Sequence, residues 1–454
     1  MSLLAVDIND AGITVLGDDA IVYREPGIAL LADEGVTLGS EAYRSARIHP
    51  RRIYTRYWSG LSVDPLPVRG FEHLSAADLV SQQLDELWKK VSSNGNRMVV
   101  AVPSYMQSEQ LGLFLGICNE LGVPVAALID GAVAATRRQY RNATTLHIDV
   151  SLHGTLLTRL LPTGQAQVET SAAVDDAGLF ALYDAWIKAV SEAFVLQSRF
   201  DPLHTAETEQ MLLDRLPGWL NAASTGTTVQ LDIDYQGISH HAEMEPIALI
   251  AAAAPLYQRI VSQLRSMCRA DETPALQLTD RAAALPGLAD MLTARVGGEI
   301  FLLETAATAR GLQTRCRDMQ AGEKVSLIRQ LPWDQAAIDV TLQTTASNGG
   351  RPTHILFNHR AFSVEGKPLH FGTQAIDGER SIELQQPMPG VSRKHCTVQV
   401  DNGQCVVRDS SRYGTFLNGH RIDNSAVLQV GDNLRIGTPG YELQLIAVEN
   451  ADGT

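Results

Sequence analysis

Val391–Gly419 reads VSRKHCTVQVDNGQCVVRDSSRYGTFLNG. Two apolar runs, Cys396–Val400 and Cys405–Val407, flank Asp401-Asn402-Gly403-Gln404. Asn and Gly accept positive φ at little cost, so this turn between short β-branched runs predicts a β-hairpin. Ser392-Arg393-Lys394-His395 precedes the hairpin and Ser410-Ser411-Arg412-Tyr413-Gly414-Thr415 follows it. A hairpin returns its two ends to one edge of a sheet. Hydroxyls and guanidinium groups from both flanks then converge on a space suited to one anion.

Working outward, the order S-x-x-H, D-x-S-x-x-G-T-x-x-N-G and, at Leu428–Gly437, L-x-x-G-D-x-L-x-I-G resembles the forkhead-associated (FHA) domain. The resemblance covers residues 353–454 and implies an all-β FHA sandwich whose loops read phosphothreonine. It assigns phosphopeptide binding to Ser392, Arg393, Arg412 and Tyr413, and a structural role in the reader loops to His395, Gly414, Thr415 and Asn418. Two family positions depart. The arginine of the Gly-Arg motif is Thr373, in Phe371-Gly372-Thr373, and the asparagine before Gly-Thr is Tyr413. Arg380 lies nearby at the wrong spacing, and Arg421 is expected to lie beyond the second loop. Three uses stay open: phosphopeptide binding, docking without phosphate, and a purely structural domain.

The chain has 454 residues, 45% hydrophobic and 19% charged, with a formal net charge of −14. That balance argues against nonspecific binding to nucleic acid or to anionic membranes. Residues 353–454 hold nine Lys/Arg and eleven Asp/Glu, so most of the negative charge lies upstream. Arg393, Lys394 and Arg412 form a local cationic exception. Cys118, Cys268, Cys316, Cys396 and Cys405 show no C-x-x-C spacing, as expected of core or strand thiols in a reducing cytosol. The chain opens on strand-like Leu3–Val6 without a basic n-region, and Ile247–Leu256 is too short to span a bilayer. These features predict a cytoplasmic protein.

Upstream, the pattern is duplicated. Leu3–Val6, Ile13–Leu16 and Ile21–Tyr23 predict a small meander with a turn at Asp7-Ile8-Asn9-Asp10-Ala11-Gly12. Such a turn can cradle phosphate, and its carboxylate can hold Mg²⁺. Ser75-x-x-Asp78 opens a predicted helix as a capping box. Met98–Val102 and Val123–Ile129 are predicted strands, Gln107–Leu121 and Gly131–Tyr140 predicted helices. A second meander follows at Thr145–Val150, Thr155–Leu161 and Ala166–Ser171, then helices at Ala177–Arg199, Thr205–Leu220 and Ile247–Cys268. The last helix is expected to be buried all round at its apolar start. Strands buried on both faces and separated by helices indicate α/β architecture.

This order resembles the actin and DnaK-type chaperone ATPase superfamily over residues 1–312. Leu4–Asp7 is similar to the first phosphate strand and Ile148-Asp149 to the second. Leu38–Ala42 with Pro50 and Arg56–Gly60 is similar to the early helix and lysine-bearing loop. Val102-Pro103-Ser104-Tyr105 matches the family's V-P-x-Y/F element, and Leu128–Ala135 its connecting helix. The organisation implied is a duplicated ATPase-like domain at 1–330, a linker at 331–352 and the FHA domain at 353–454.

The departures fall on the family's chemistry. The first-loop Gly and Thr/Ser are Asn9, Asp10 and Ala11, the lysine position holds Arg56, and the connecting-helix glutamate falls on Gly131. The second loop, normally glycine-rich, reads Val150-Ser151-Leu152-His153-Gly154-Thr155, and the Gly-Gly adenosine turn becomes Thr279-Asp280-Arg281-Ala282. Losing positioned carboxylates or phosphate donors costs orders of magnitude in rate. The implied body is a pseudo-ATPase with no catalytic residue, no metal and no cofactor. The implied role is a non-catalytic adaptor whose FHA module binds a phosphorylated partner of a Ser/Thr kinase pathway. The alternative is an active or nucleotide-binding DnaK-like ATPase targeted to clients, with Asp7, Arg56 and Asp149 left to hold nucleotide and Mg²⁺.

Overall fold

A computed structural model describes residues 3–140, 143–161, 164–224, 226–269, 272–317, 319, 325–334, 351–357, 360–376, 378–384, 390–401, 403–417, 420–430, 432–437 and 441–446. The chain divides into two compact units, Met1–Val340 and Thr341–Thr454.

The N-terminal unit is built on two mixed sheets. In the first, Leu3–Asp7 pairs antiparallel with Ile13–Gly17, which pairs with Ala20–Glu25. On its other side Leu3–Asp7 runs parallel to Arg97–Val102, followed by Val125–Asp130 and Leu327–Ile328. In the second sheet Thr144–Val150 pairs antiparallel with Gly154–Leu160, which pairs with Gln165–Asp175. Its other neighbour is the parallel strand Pro274–Leu278, followed by Glu299–Leu302. The strand order of the first sheet therefore recurs in the second.

Parallel neighbours need long crossovers, and helices supply them. Ser108–Glu120 links Arg97–Val102 to Val125–Asp130, and Leu179–Ser198, Ala206–Ala223 and Pro246–Met267 precede Pro274–Leu278. Ala76–Val91 begins with the expected reciprocal cap, since Ser75 Oγ accepts from the Asp78 amide and the Asp78 carboxylate accepts from the Ser75 amide. Its stripe Leu79, Val80, Leu84, Leu87 and Val91 is buried. Strands Leu3–Asp7 and Val125–Asp130 are buried at every position, which is why they read as almost unbroken apolar runs.

Three expectations are corrected here. The helix expected over Gly131–Tyr140 ends at Ala135, because Thr136 turns extended and its hydroxyl donates to Gln277 Oε1 at 2.6 Å. Pro246–Met267 is not buried all round: Leu249, Ala253, Tyr257, Ile260 and Leu264 face the core while Ile247 is 69% exposed. By length and composition this helix is also long and apolar enough to cross a membrane. Within the unit, however, Trp186 Nε1 donates to the Leu249 carbonyl at 2.8 Å, in the core. Residues 331 and 332, expected to open a linker over 331–352, belong to a strand, since Gln330–Pro332 pairs with Gln165–Gln167 and Leu331 is buried. Pro352 is buried too, and residues 335–350 lie outside the described residues.

The C-terminal unit is a β-sandwich. One sheet joins Arg360–Ser363, His354–Phe357, Tyr441–Ile446, Asn433–Ile436, Thr415–Leu417 and His420–Arg421; the other joins Arg380–Glu383, Leu369–Gly372, Cys396–Asp401, Gln404–Asp409 and Ser425–Leu428. Ile355, Phe371, Val398, Val407, Leu434 and Leu445 fill the space between them. The hairpin closes with Asp401 opposite Gln404 and Gly403 at φ +79°.

Gly311, in helix Ala307–Arg315, lies so close to Ala134 that a Cβ there would meet the Ala134 carbonyl oxygen at 1.9 Å. Gly112, also helical, has no atom within 4 Å of such a Cβ. Alanine gains helix propensity at both positions, about 1 kcal/mol. Gly112→Ala is expected to stabilise the body by roughly 0.4–1 kcal/mol, and Gly311→Ala to destabilise it by about 1–3 kcal/mol through overpacking. Denaturant unfolding of the two variants checks both signs.

Candidate functional site

In the N-terminal unit the first turns of the two meanders meet around one cation. Asp7 ends the first strand of one sheet and Asp149 lies near the end of the matching strand of the other. Arg281, in the short helix Asp280–Ala283 after Pro274–Leu278, lies between them. Its Nη2 is 3.1 Å from Asp7 Oδ2 and 3.0 Å from Asp149 Oδ2, and its Nε donates to Asp149 Oδ1 at 3.1 Å. The Arg281 and Asp7 side chains are each 8% exposed and that of Asp149 is 16%.

Partner number separates the two carboxylates. Asp149 also accepts from Thr279 Oγ1 at 2.7 Å and Asn9 Nδ2 at 2.8 Å. Burial works to raise its pKa, but the Arg281 guanidinium and these bonds outweigh it and hold the group below the usual carboxylate range. Among the described residues Asp7 has only Arg281, so burial wins and its carboxyl is pushed up. Asp10 Oδ1 accepts from the Leu152 amide at 2.8 Å, while its buried Oδ2 has no partner among the described residues. Burial pushes Asp10 up to about 6.

Leu152 is buried with Ile28 and Ala42 where the two halves of the unit face each other. The adjoining cavity, lined by Asp7, Asn9, Tyr105, His147, Asp149 and Ser151 among others, has a volume of 20 Å³. That is room for about one water molecule. Arg56 does not join Asp7 and Asp149; its side chain is 54% exposed and lies 3.5 Å from Asp176. Asp130, one residue before Gly131, is spent on capping its own helix and on Ser104 Oγ, 2.5 Å away. Arg281 was missed as a site residue. The legible signal was a cation beside Asp280 in the turn Thr279-Asp280-Arg281-Ala282 that follows a buried strand.

In the C-terminal unit the hairpin register places Cys396 opposite Asp409, so the flanking loops sit side by side. The Ser410 amide donates to the His395 carbonyl at 2.8 Å. The Arg412 amide donates to Ser392 Oγ at 3.1 Å, and among the described residues the Ser392 hydroxyl hydrogen has no acceptor, so it can donate outward. A third loop joins them through the Thr373 and Gln374 amides, which donate to the Ser392 and Arg393 carbonyls at 3.2 and 3.3 Å.

Buried His395 supports this arrangement. Its Nδ1 accepts from the Ser392 amide at 3.0 Å, so Nε2 carries the proton and donates to the Gly414 carbonyl at 3.1 Å. Burial lowers its pKa, which keeps the ring neutral as the accepting Nδ1 requires. Asp409 Oδ1 accepts from the Ser411 amide and from Thr415 Oγ1, and Ser411 Oγ accepts from the Gly414 amide. Arg393, Lys394, Arg412 and Tyr413 are exposed at the rim. Asn418 lies outside the described residues. Arg421 is not beyond the loop: its Nε would lie 2.7 Å from a Cβ at Gly414.

The FHA domain family model matches residues 371–437, which span these three loops. A search of curated proteins found no match to the chain. The C-terminal unit therefore carries an FHA domain, and such a domain implies phosphothreonine-peptide binding and a protein-interaction role.

Arg281→Met would leave Asp7 and Asp149 buried without their cation. Breaking a buried ion pair from one side costs about 3–5 kcal/mol, and the body is expected to lose that much stability at pH 7. Unpaired, the two carboxyls titrate above their unfolded values, so the folded form takes up protons first as pH falls. The deficit of the variant relative to wild type should therefore shrink between pH 7 and pH 5. Urea unfolding across that range checks it.

Proposed function

We propose that the protein is a non-catalytic adaptor: a degenerate actin/DnaK-type body carrying an FHA module that reads phosphothreonine on a protein partner of a Ser/Thr kinase pathway. The observation that carries the reading is the loop cluster itself. Among the described residues the Ser392 hydroxyl hydrogen has no acceptor, and Arg393, Lys394 and Arg412 make no ion pair. A phosphothreonine brings close to two negative charges and three acceptor oxygens at neutral pH. Charge-assisted bonds to it contribute on the order of 1.5–3 kcal/mol each.

The strand order shared by the two sheets supports the actin/DnaK-type reading of the body. The residues do not fit Mg-ATP. Arg281 occupies the two carboxylates that would hold the metal, Leu152 fills the second loop, and the cavity lined by Asp7 and Asp149 has a volume of 20 Å³. On this reading the body acts as a scaffold, and its free, mostly buried thiols suit a reducing cytoplasm.

Immobilised full-length protein is expected to retain peptides from a degenerate phosphothreonine library and to pass the unphosphorylated twin library. Ser392→Ala and Arg412→Ala should each weaken the selected phosphopeptide by about ten-fold, one lost charge-assisted bond. Equal retention of both libraries, unchanged by either substitution, would refute phosphate reading.

A further inference from the structure

We propose that Arg421 supplies the phosphate-binding guanidinium that the first reader loop lacks. The inference rests on the phosphothreonine reading and names a ligand residue within it. The loop after strand Leu369–Gly372 offers Thr373, which brings a hydroxyl in place of a cation. Arg380 cannot replace it. Its Nη1 donates to the Glu365 and Lys367 carbonyls at 2.6 and 3.2 Å and its Nη2 to the Ser363 carbonyl at 2.6 Å, so its donors are committed to another loop.

Arg421 reaches the site from the strand partner of the second loop. It pairs with Phe416, two residues after Gly414, and its side chain folds back over that glycine. A Cβ at position 414 would meet Arg421 Nε at 2.7 Å and Cζ at 3.2 Å, and Gly414 itself holds φ +91°. Glycine is thus required twice, for the backbone turn and for the guanidinium lying on it. From the buried side, His395 Nε2 holds the Gly414 carbonyl. Exposed Arg421 covers Gly414, two residues from Arg412, whose amide contacts Ser392 Oγ.

Among the described residues Arg421 has no ion-pair partner or hydrogen-bond acceptor. Other arginines of the unit are engaged: Arg408 pairs with Asp401 at 3.1 Å, Arg351 with Glu365, and Arg435 lies 4.3 Å from the Phe416 ring centre. Arg421 lies over the glycine two residues from exposed Arg412, and a phosphate dianion would relieve the repulsion between two such uncompensated cations. Two planar guanidinium groups and one hydroxyl then provide enough donors for the three phosphate oxygens.

The test titrates the selected phosphothreonine peptide, and its unphosphorylated form, into full-length protein by calorimetry. Arg421→Met keeps an unbranched chain over Gly414 and removes the charge; Arg421→Lys keeps the charge and loses the fork. Arg421→Met is expected to weaken the phosphopeptide ten-fold or more and Arg421→Lys by less. Neither should change the melting temperature or the affinity for the unphosphorylated peptide, and Arg408→Met should change nothing. Wild-type preference for the phosphopeptide with full preference retained in Arg421→Met overturns the inference and leaves the reading of the domain intact. Equal losses in both variants with lowered melting also overturn it, because the role is then packing. No phosphate preference in the wild type overturns inference and reading together.

Discussion

A buried guanidinium between two carboxylates organises the N-terminal unit. Desolvating three charges is costly, and their attraction repays it only with good geometry and further hydrogen bonds. Asp149 has both, through Arg281, Thr279 and Asn9. The arrangement ties together loops from both sheets, because Asp7 belongs to one and Asp149 to the other. Other bonds between the same halves run in parallel: Asn9 Nδ2 to the Val150 carbonyl, the Leu152 amide to Asp10, Thr55 Oγ1 with His153 Nε2, and Gln210 Nε2 to the Tyr43 carbonyl. A space whose walls are joined by side chains and filled by Leu152 has little freedom to open around a ligand.

The reader loops of the C-terminal unit treat their arginines in the opposite way. Arg281 has every charge partner within reach and almost no exposure, and Arg393, Arg412 and Arg421 have exposure and no partner among the described residues. Rigidity in the reader loops comes from the neutral His395 ring and the Asp409 carboxylate. His395 joins the Ser392 amide to the Gly414 carbonyl, and Asp409 is consumed by Ser411 and Thr415. The cations are therefore displayed on a fixed frame, and little ordering entropy remains to be lost when an anion arrives.

Much of this was legible in the sequence because it rests on local chemistry. The Asp-Asn-Gly turn, the Ser75–Asp78 box and the apolar strands each follow from a few adjacent residues, and the sandwich followed from spaced motifs. What stayed hidden depends on long-range placement. Arg281 meets Asp7 from 274 positions away and Asp149 from 132, and no periodicity announces such a meeting. Arg421 looked remote because its number is past the loop, but a two-residue strand folds it back onto Gly414. Leu331 looked like linker because a three-residue strand carries too few residues to show alternation. The helix expected to reach Tyr140 failed at Thr136, where a bond to Gln277 outweighed helix propensity.

On the proposed reading, Arg281 sits between the two carboxylates where a nucleotide's metal would otherwise be held. Thermal unfolding of the full chain with and without millimolar Mg-ATP tests it most directly, since a ligand binding only the folded form must raise the melting temperature. The account predicts superimposable curves for the wild type. A reproducible upward shift with Mg-ATP, lost in Asp149→Asn, would contradict it.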